Sequence, residues 1–299
     1  MTLLELIQAA CSELGLPRPT TAASSPDTQY QQLFAFINRL GRELTTNYEW
    51  QELDREYLLN TVSFTLPGVW TAGSANVTVS PNTVGITTDF GAQFDQLPVW
   101  TDVAEVISSS VIRLTQAPAV SGSGNITFSQ MRYSLPTDWS KSINQTQWDR
   151  SNFWPLAGPK TAQEWQFLKG GIVSTGPRMR FRIQGDKMAL NPAPPNAQTL
   201  AFEYISDAWV RSAAGVPKSQ FTADDDTCIF DDSLMILGTK MYWRQEKGFE
   251  SSLVEAQFLR VLERKQAQNK GAPVLNMSGG LGNVLLGPWN AQDGGFPGT

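Results

Sequence analysis

The chain has 299 residues, a formal net charge of −5, only 17% charged residues and no histidine. That length holds about one or two domains with a sizeable core, and the acidic balance excludes the strongly basic footprint of a duplex-binding protein. The missing histidine removes the usual general base, the commonest metal ligand and the usual pH switch.

The first predicted helix starts at Thr2, with Glu5 three residues on as a capping box. Leu3, Ile7, Cys11 and Leu14 follow at helical spacing, and Gly15 and Pro17 end it. Ser25 and Pro26 signal a second helix. Its apolar face holds Tyr30, Leu33, Phe34, Ile37, Leu40 and Leu44, and it runs to about Asn47. From Trp50 the period changes to two. Residues 57–64 read as one strand, closed by a turn at Leu66-Pro67-Gly68.

Residues 68–131 are rich in Gly, Ser, Thr and Val. Strands are predicted at Ala75–Val79, Val99–Ile107, Ser110–Thr115 and Asn125–Ser129, with turns at SPNTVG, GAQFDQLP and APAVSGSG. An echo brackets the region, because Phe64–Trp70 and Tyr133–Trp139 share the order aromatic, hydroxyl, Leu, Pro, x, x, Trp. Either the two strand ends match by coincidence, or a small β module is inserted between them.

Thr161 and Glu164 form a second capping box, heading a short helix to Lys169. Met179, Phe181 and Ile183 then alternate with Arg178, Arg180 and Arg182, and Gln184–Lys187 turns the chain into Met188–Leu190. Another strand is expected at Thr199–Ile205. Helices are expected over Asp224–Gly248 and from Ser252, the latter burying Val254, Phe258, Val261 and Leu262. The fold class is therefore α+β. Residues 1–50 and 211–270 form a discontinuous helical domain, because the helices at both ends must bury their apolar stripes on each other. Residues 51–67 and 132–210 form an antiparallel β domain, and 68–131 the small β module. Residues 271–299 form a Gly-rich tail whose Leu281, Val284, Leu285, Leu286 and Trp289 suit docking in extended form.

Several groups are candidates for chemistry. Cys11 and Cys228 are too few for a four-thiolate zinc site, and both read as small buried thiols in helices. The carboxylates Asp224, Asp225, Asp226, Asp231 and Asp232 could hold a hard cation, but they lack an EF-hand pattern and fit helix capping better. Glu164 with Asp138 or Asp149 could form a glycosidase pair among Trp platforms, although nothing in the sequence sets their separation. The Arg178, Arg180 and Arg182 row suits phosphates, a neighbour's carboxylates or a solvated face. SGSG and SGGLGN are neither a Walker loop nor a dinucleotide fingerprint, so no cofactor is expected. There is no basic leader and no apolar run of about 18 residues, which leaves no membrane-spanning segment to expect.

Taken in order, the features resemble the head-to-tail adaptor (connector) family of short-tailed bacteriophages. The likeness rests on the Tyr48-Glu49-Trp50 junction after the second helix, SLPTDW at Ser134–Trp139, and PLAGP at Pro155–Pro159 with Glu164-Trp165. It continues through RIQGDKMALNPAPP at Arg182–Pro195, FEYISDAWV at Phe202–Val210 and the helix of Asp224–Gly248. The resemblance leaves out residues 68–131 and the tail. It implies a non-enzymatic virion protein of the neck, assembled in the host cytoplasm. A dodecameric ring would sit beneath the portal, extend the DNA channel and offer a platform for the tail nozzle or fibres. Arg178, Arg180 and Arg182 become candidate subunit or channel contacts, and Leu281, Val284, Leu285, Leu286 and Trp289 a candidate portal-docking tail. A carbohydrate-binding tail module and a peptidoglycan-degrading glycosidase are the alternatives, both motivated by the Trp-rich β region.

Overall fold

The structure, a computed structural model, describes residues 1–170 and 179–269. It is mixed α and β. In chain order it opens with α1 (Leu3–Leu14), α2 (Thr28–Asn47), β1 (Asp54–Asn60) and β2 (Ser63–Trp70). Then come β3 (Asn76–Val79), β4 (Phe90–Phe94), β5 (Leu97–Val106), β6 (Val111–Leu114) and β7 (Gly122–Gln130). Next are β8 (Arg132–Ser134), β9 (Trp139–Ser142), β10 (Trp148–Asp149), β11 (Trp154–Pro155) and α3 (Ala162–Lys169). The described chain closes with β12 (Arg180–Gln184), β13 (Lys187–Asn191), β14 (Thr199–Ser206), β15 (Val210–Arg211), β16 (Pro217–Lys218), β17 (Thr227–Cys228), α4 (Asp232–Glu246) and α5 (Ser252–Asn269). Among the described residues no helix is long and apolar enough to cross a membrane.

Contacts divide the described residues into two compact units, one of Met1–Arg55, Thr137–Ser142 and residues 204–269, the other of Glu56–Pro136 and residues 143–170 and 179–203. In the first unit the predicted caps form. Thr2 and Glu5 close the capping box of α1, and Gly15 ends it in the left-handed conformation at φ 72° that a glycine tolerates. Helix α2 starts later than Ser25-Pro26 signals. Asp27 is its N-cap and accepts from the Gln29 N–H, because its carboxylate reaches a free amide of the first turn. Leu3, Leu6, Ile7, Leu33, Ile37 and Leu40 are buried, with Leu234, Met235, Val254 and Phe258 from the C-terminal helices. Trp209 is fully buried, edge-on to Phe221 and stacked on Phe230. Val261 and Leu262 are only half-buried, so α5 buries less of its face than its pattern predicts.

The expected helix of Asp224–Gly248 begins only at Asp232, with Asp231 as N-cap. The stretch before it serves another purpose. Asp224 accepts from the Ala22 and Ala23 N–H groups, and Asp226 from the Thr222 and Ala223 N–H groups and from Lys218. These bonds hold loops that a continuous helix would displace, and Cys228 lies in β17 opposite Val210, not in a helix.

In the second unit, β2, β3, β6, β5, β4 and β7 close into an antiparallel barrel. Its interior holds Trp70, Val77, Phe90, Phe94, Val103, Ile112, Ile126 and Phe128. Three expectations change here. Leu66-Pro67-Gly68 is no turn but the middle of β2, because the inward series Phe64, Leu66, Gly68, Trp70 runs straight through it and pairs residue by residue with β7. The barrel therefore starts at Ser63 and includes the first copy of the echoed motif, whereas the second copy spans β8 and the start of β9. GAQFDQLP holds all of β4 but its first residue, Phe90, which with Phe94 turns inward, and the chain reverses only at Asp95-Gln96. SGSG is the start of β7, since Gly122 lies against the Trp70 indole at a distance that leaves little room for a side chain.

The chain enters and leaves the barrel at a pinned crossing. Thr61 is buried and exchanges hydrogen bonds with Pro195, Ala197 and Gln198, which breaks the strand expected over 57–64 into β1 and β2. Beside it, the Val62 N–H donates to the Tyr133 hydroxyl, and the Gln130 N–H to the Val62 carbonyl.

Candidate functional site

The hairpin β12–β13 has the predicted turn, with Gln184 opposite Lys187 and Gly185 at φ 60°. Strand β8 adds to its other edge, Met188 opposite Tyr133. One face of this sheet carries Phe181, Leu190, Met188 and Tyr133, all buried. The other carries Arg180 and Arg182, directly across from Asn191 and Ala189. Ala189 packs against Trp165 and Leu168 of α3, so the arginine face is the one the short helix covers. Arg180 and Arg182 are accordingly half-buried and do not form the open, solvated face. The third member of the row, Arg178, lies outside the described residues, as do Leu281, Val284, Leu285, Leu286 and Trp289.

The carboxylates proposed for acid–base work each have a local task. Glu164 closes the capping box of α3 and interacts with Lys160. Hydrogen bonds from the Thr161 backbone and hydroxyl, then Lys160, hold its carboxyl below the usual range. Asp149 accepts from the Ser151 and Asn152 N–H groups and the Asn152 side chain. Asp138 accepts from the Tyr204 and Ser206 hydroxyls. A glycosidase acid needs a raised pKa and a free face toward its sugar, and Glu164 has the opposite shift. Among the described residues no group of three or more metal-ligating side chains could hold an ion, and the aspartates near α4 tie loops and cap the helix instead. Burial pushes both the Cys11 and Cys228 thiols up to about 11, away from thiolate reactivity.

Two features went unseen in the sequence. The first is the outer side of α5. Of its eighteen residues only Val254 and Phe258 are buried, while Phe249 just before it and Leu253 and Leu259 on it are 61%, 71% and 47% exposed. The sequence signalled an amphipathic helix, but Leu253 and Leu259 fall outside the stripe that α4 covers.

The second is a cavity of about 170 Å³ in the second unit, where β5, the end of α3 and the end of β13 meet. Trp100 and Leu168 supply apolar wall, and Asp102, Lys169 and Asn191 the polar wall. The Asp102 Oδ2 accepts from Lys169 at 2.6 Å and from Arg132 at 3.2 Å. Asn191 is 6% exposed, and its Oδ1 is buried without a hydrogen-bond partner. Arg180, its cross-strand neighbour, likewise has a buried Nη1 without an acceptor. These residues are widely separated in the chain, and no spacing rule joins them. The chain matches no known family model and no curated protein.

Proposed function

We propose that this chain is a non-enzymatic head-to-tail adaptor of a short-tailed bacteriophage, a virion neck protein assembled in the host cytoplasm. In this reading its copies form a dodecameric ring under the portal, continue the DNA channel and carry the tail nozzle or fibres. The helical part is built from both ends of the chain, with the β region inserted and the barrel added within that. The observation that carries the reading is α5. Leu253 and Leu259 on this helix, with Phe249 just before it, leave apolar side chains exposed that a neighbouring subunit or the portal would cover.

Two further observations support it. The order of motifs from Tyr48 to Gly248, outside residues 68–131, resembles that of the adaptor family. The net charge of −5 suits a channel through which DNA slides, because a cationic lining would hold its phosphates.

The test is co-sedimentation of the purified chain with a purified portal ring from the same virus, with the bound stoichiometry measured. Saturable binding to a fixed number of copies, absent with an unrelated portal and weakened by Leu253→Asp with Leu259→Asp, is expected. No association at micromolar concentration would overturn the reading.

A further inference from the structure

We infer that the cavity beside Asn191 is a binding site for a neutral, hydroxyl-rich ligand, a single hexose ring of a glycan. The inference does not rest on the adaptor reading.

A buried polar atom at the cavity is left unpaired. A buried amide oxygen without a donor is costly, and native proteins keep few of them. Asn191 Oδ1 is such an atom, and Asn191 lines the cavity. Lys169, on the same cavity wall, is a donor that a ligand oxygen can share with Asp102. A group that fills this place should both donate and accept, which a hydroxyl does.

Charge narrows the choice. Lys169 of the cavity wall and Arg132 converge on the single carboxylate of Asp102, so the surroundings are net positive. A lysine or arginine side chain from a partner would be repelled. An anion would meet Asp102 and leave the Asn191 oxygen unsatisfied. A neutral polyol avoids both conflicts, accepting from the cations and donating to Asp102 and Asn191.

Size and shape agree. A volume of about 170 Å³ is below the roughly 300 Å³ at which drug-sized pockets begin, yet holds several waters of about 30 Å³ each. That is room for one sugar ring. Trp100 offers an apolar surface for the C–H face of such a ring.

The test uses the full chain and four sugar probes, glucose, galactose, mannose and N-acetylglucosamine, with inorganic phosphate and guanidinium alongside, each titrated to the high millimolar range. Saturation-transfer NMR reads the sugar protons and Trp fluorescence reads the protein. Saturable binding of at least one sugar is expected, weakened about tenfold by Asn191→Leu and by Trp100→Ala. Val84→Thr, at an exposed position between β3 and β4 that does not line the cavity, should leave it unchanged. Circular dichroism checks that each variant folds. If Asn191→Leu does not, Lys169→Met, at a partly exposed position, carries the test with the same expected loss. No saturable binding of any of the four sugars overturns the inference. So does binding that is indifferent to Trp100→Ala and Lys169→Met, or saturable binding of phosphate or guanidinium in place of the sugars.

Discussion

The barrel and the helical unit solve the same problem by different means. Residues 63–130 make one continuous run whose antiparallel ladders satisfy the backbone from within, around a core of aliphatic and aromatic side chains. The helical unit gathers three separate stretches of chain, and buried or half-buried polar side chains brace its loops and join stretch to stretch. Asn38 on α2 accepts from the Phe221 N–H and donates to its carbonyl, Asp226 gathers Thr222, Ala223 and Lys218, and Asp138 joins Tyr204 and Ser206. A closed sheet has no edge to satisfy, whereas irregular segments packed on helices must find partners for each buried N–H and C=O. The barrel should therefore be sensitive to lost volume, and the helical unit to lost volume and lost polar contacts alike.

The largest effects test the shared half of that contrast. Trp209→Ala and Phe128→Ala each remove a fully buried aromatic and should each cost about 3–5 kcal/mol. Hydrogen exchange read by mass spectrometry separates them. Trp209→Ala is expected to loosen α2 and α4, and Phe128→Ala the ladders of β2, β4 and β7. If each variant loosens both units equally, the two regions unfold as one and the contrast fails.

Polar contacts test the other half. Asp226→Ala should destabilise the helical unit by about 2–3 kcal/mol, since its carboxylate takes charge-assisted bonds from a site with 1% side-chain exposure. Burial works to raise the Asp226 pKa, but the bonds from Lys218, Thr222 and Ala223 outweigh it and hold it below the ordinary 3.8. A depressed carboxyl adds stability that is complete above the unfolded value and is lost as pH falls through the native one. Urea midpoints measured from pH 6 down to pH 2 should thus fall less in Asp226→Asn than in the parent chain.

A close approach within the same core comes next in size. A Cβ on Gly41 would stand 2.1 Å from the Trp209 ring, a rigid neighbour with nowhere to move. Gly41→Ala should cost about 1–3 kcal/mol by overpacking, although alanine normally favours a helix over glycine. A gain in the thermal midpoint would show that the Trp209 site is looser than its burial implies.

How much of this was legible in the sequence follows from the range over which each signal acts. The capping boxes at Thr2 and Thr161, the stripes of α1 and α2 and the Gly185-Asp186 turn depend on neighbours a few residues away, and they stand where expected. Errors came where a distant partner overrides local punctuation. Pro67 and Gly68 mark a turn locally, but β7 continues the strand across them. Cys228 lies in an apolar run that suits a helix, but pairing with Val210 makes it a strand. The candidate sites divide in the same way. The arginine alternation was readable, whereas its cover by α3 was not, because Trp165 and Ala189 meet only in three dimensions. The Asn191 cavity was invisible, since an unpaired oxygen is a property of the fold and not of a motif.

The smallest effect lies at the crossing into the barrel, where both devices meet. Tyr133 is buried against the barrel mouth, and its hydroxyl accepts from the Val62 N–H at 3.2 Å. Tyr133→Phe keeps the ring and deletes only that acceptor. Val62 is 39% exposed, so water can reach the orphaned amide, and the cost should be about 0.5–1.5 kcal/mol. The Val62 amide should exchange faster while those of Phe64 and Phe128 stay as they were. Burial also pushes the Tyr133 phenol from 10.0 up to about 12, with the Val62 contact pulling weakly the other way. A phenol kept neutral by the fold adds stability that is complete below its unfolded value and is lost as pH rises toward the native one. Between pH 9 and pH 12 the parent chain should thus lose stability more steeply than Tyr133→Phe. Equal slopes would mean that the crossing opens before the phenol ionises, and that the barrel is joined to the rest of its unit less firmly than the Thr61 and Val62 bonds imply.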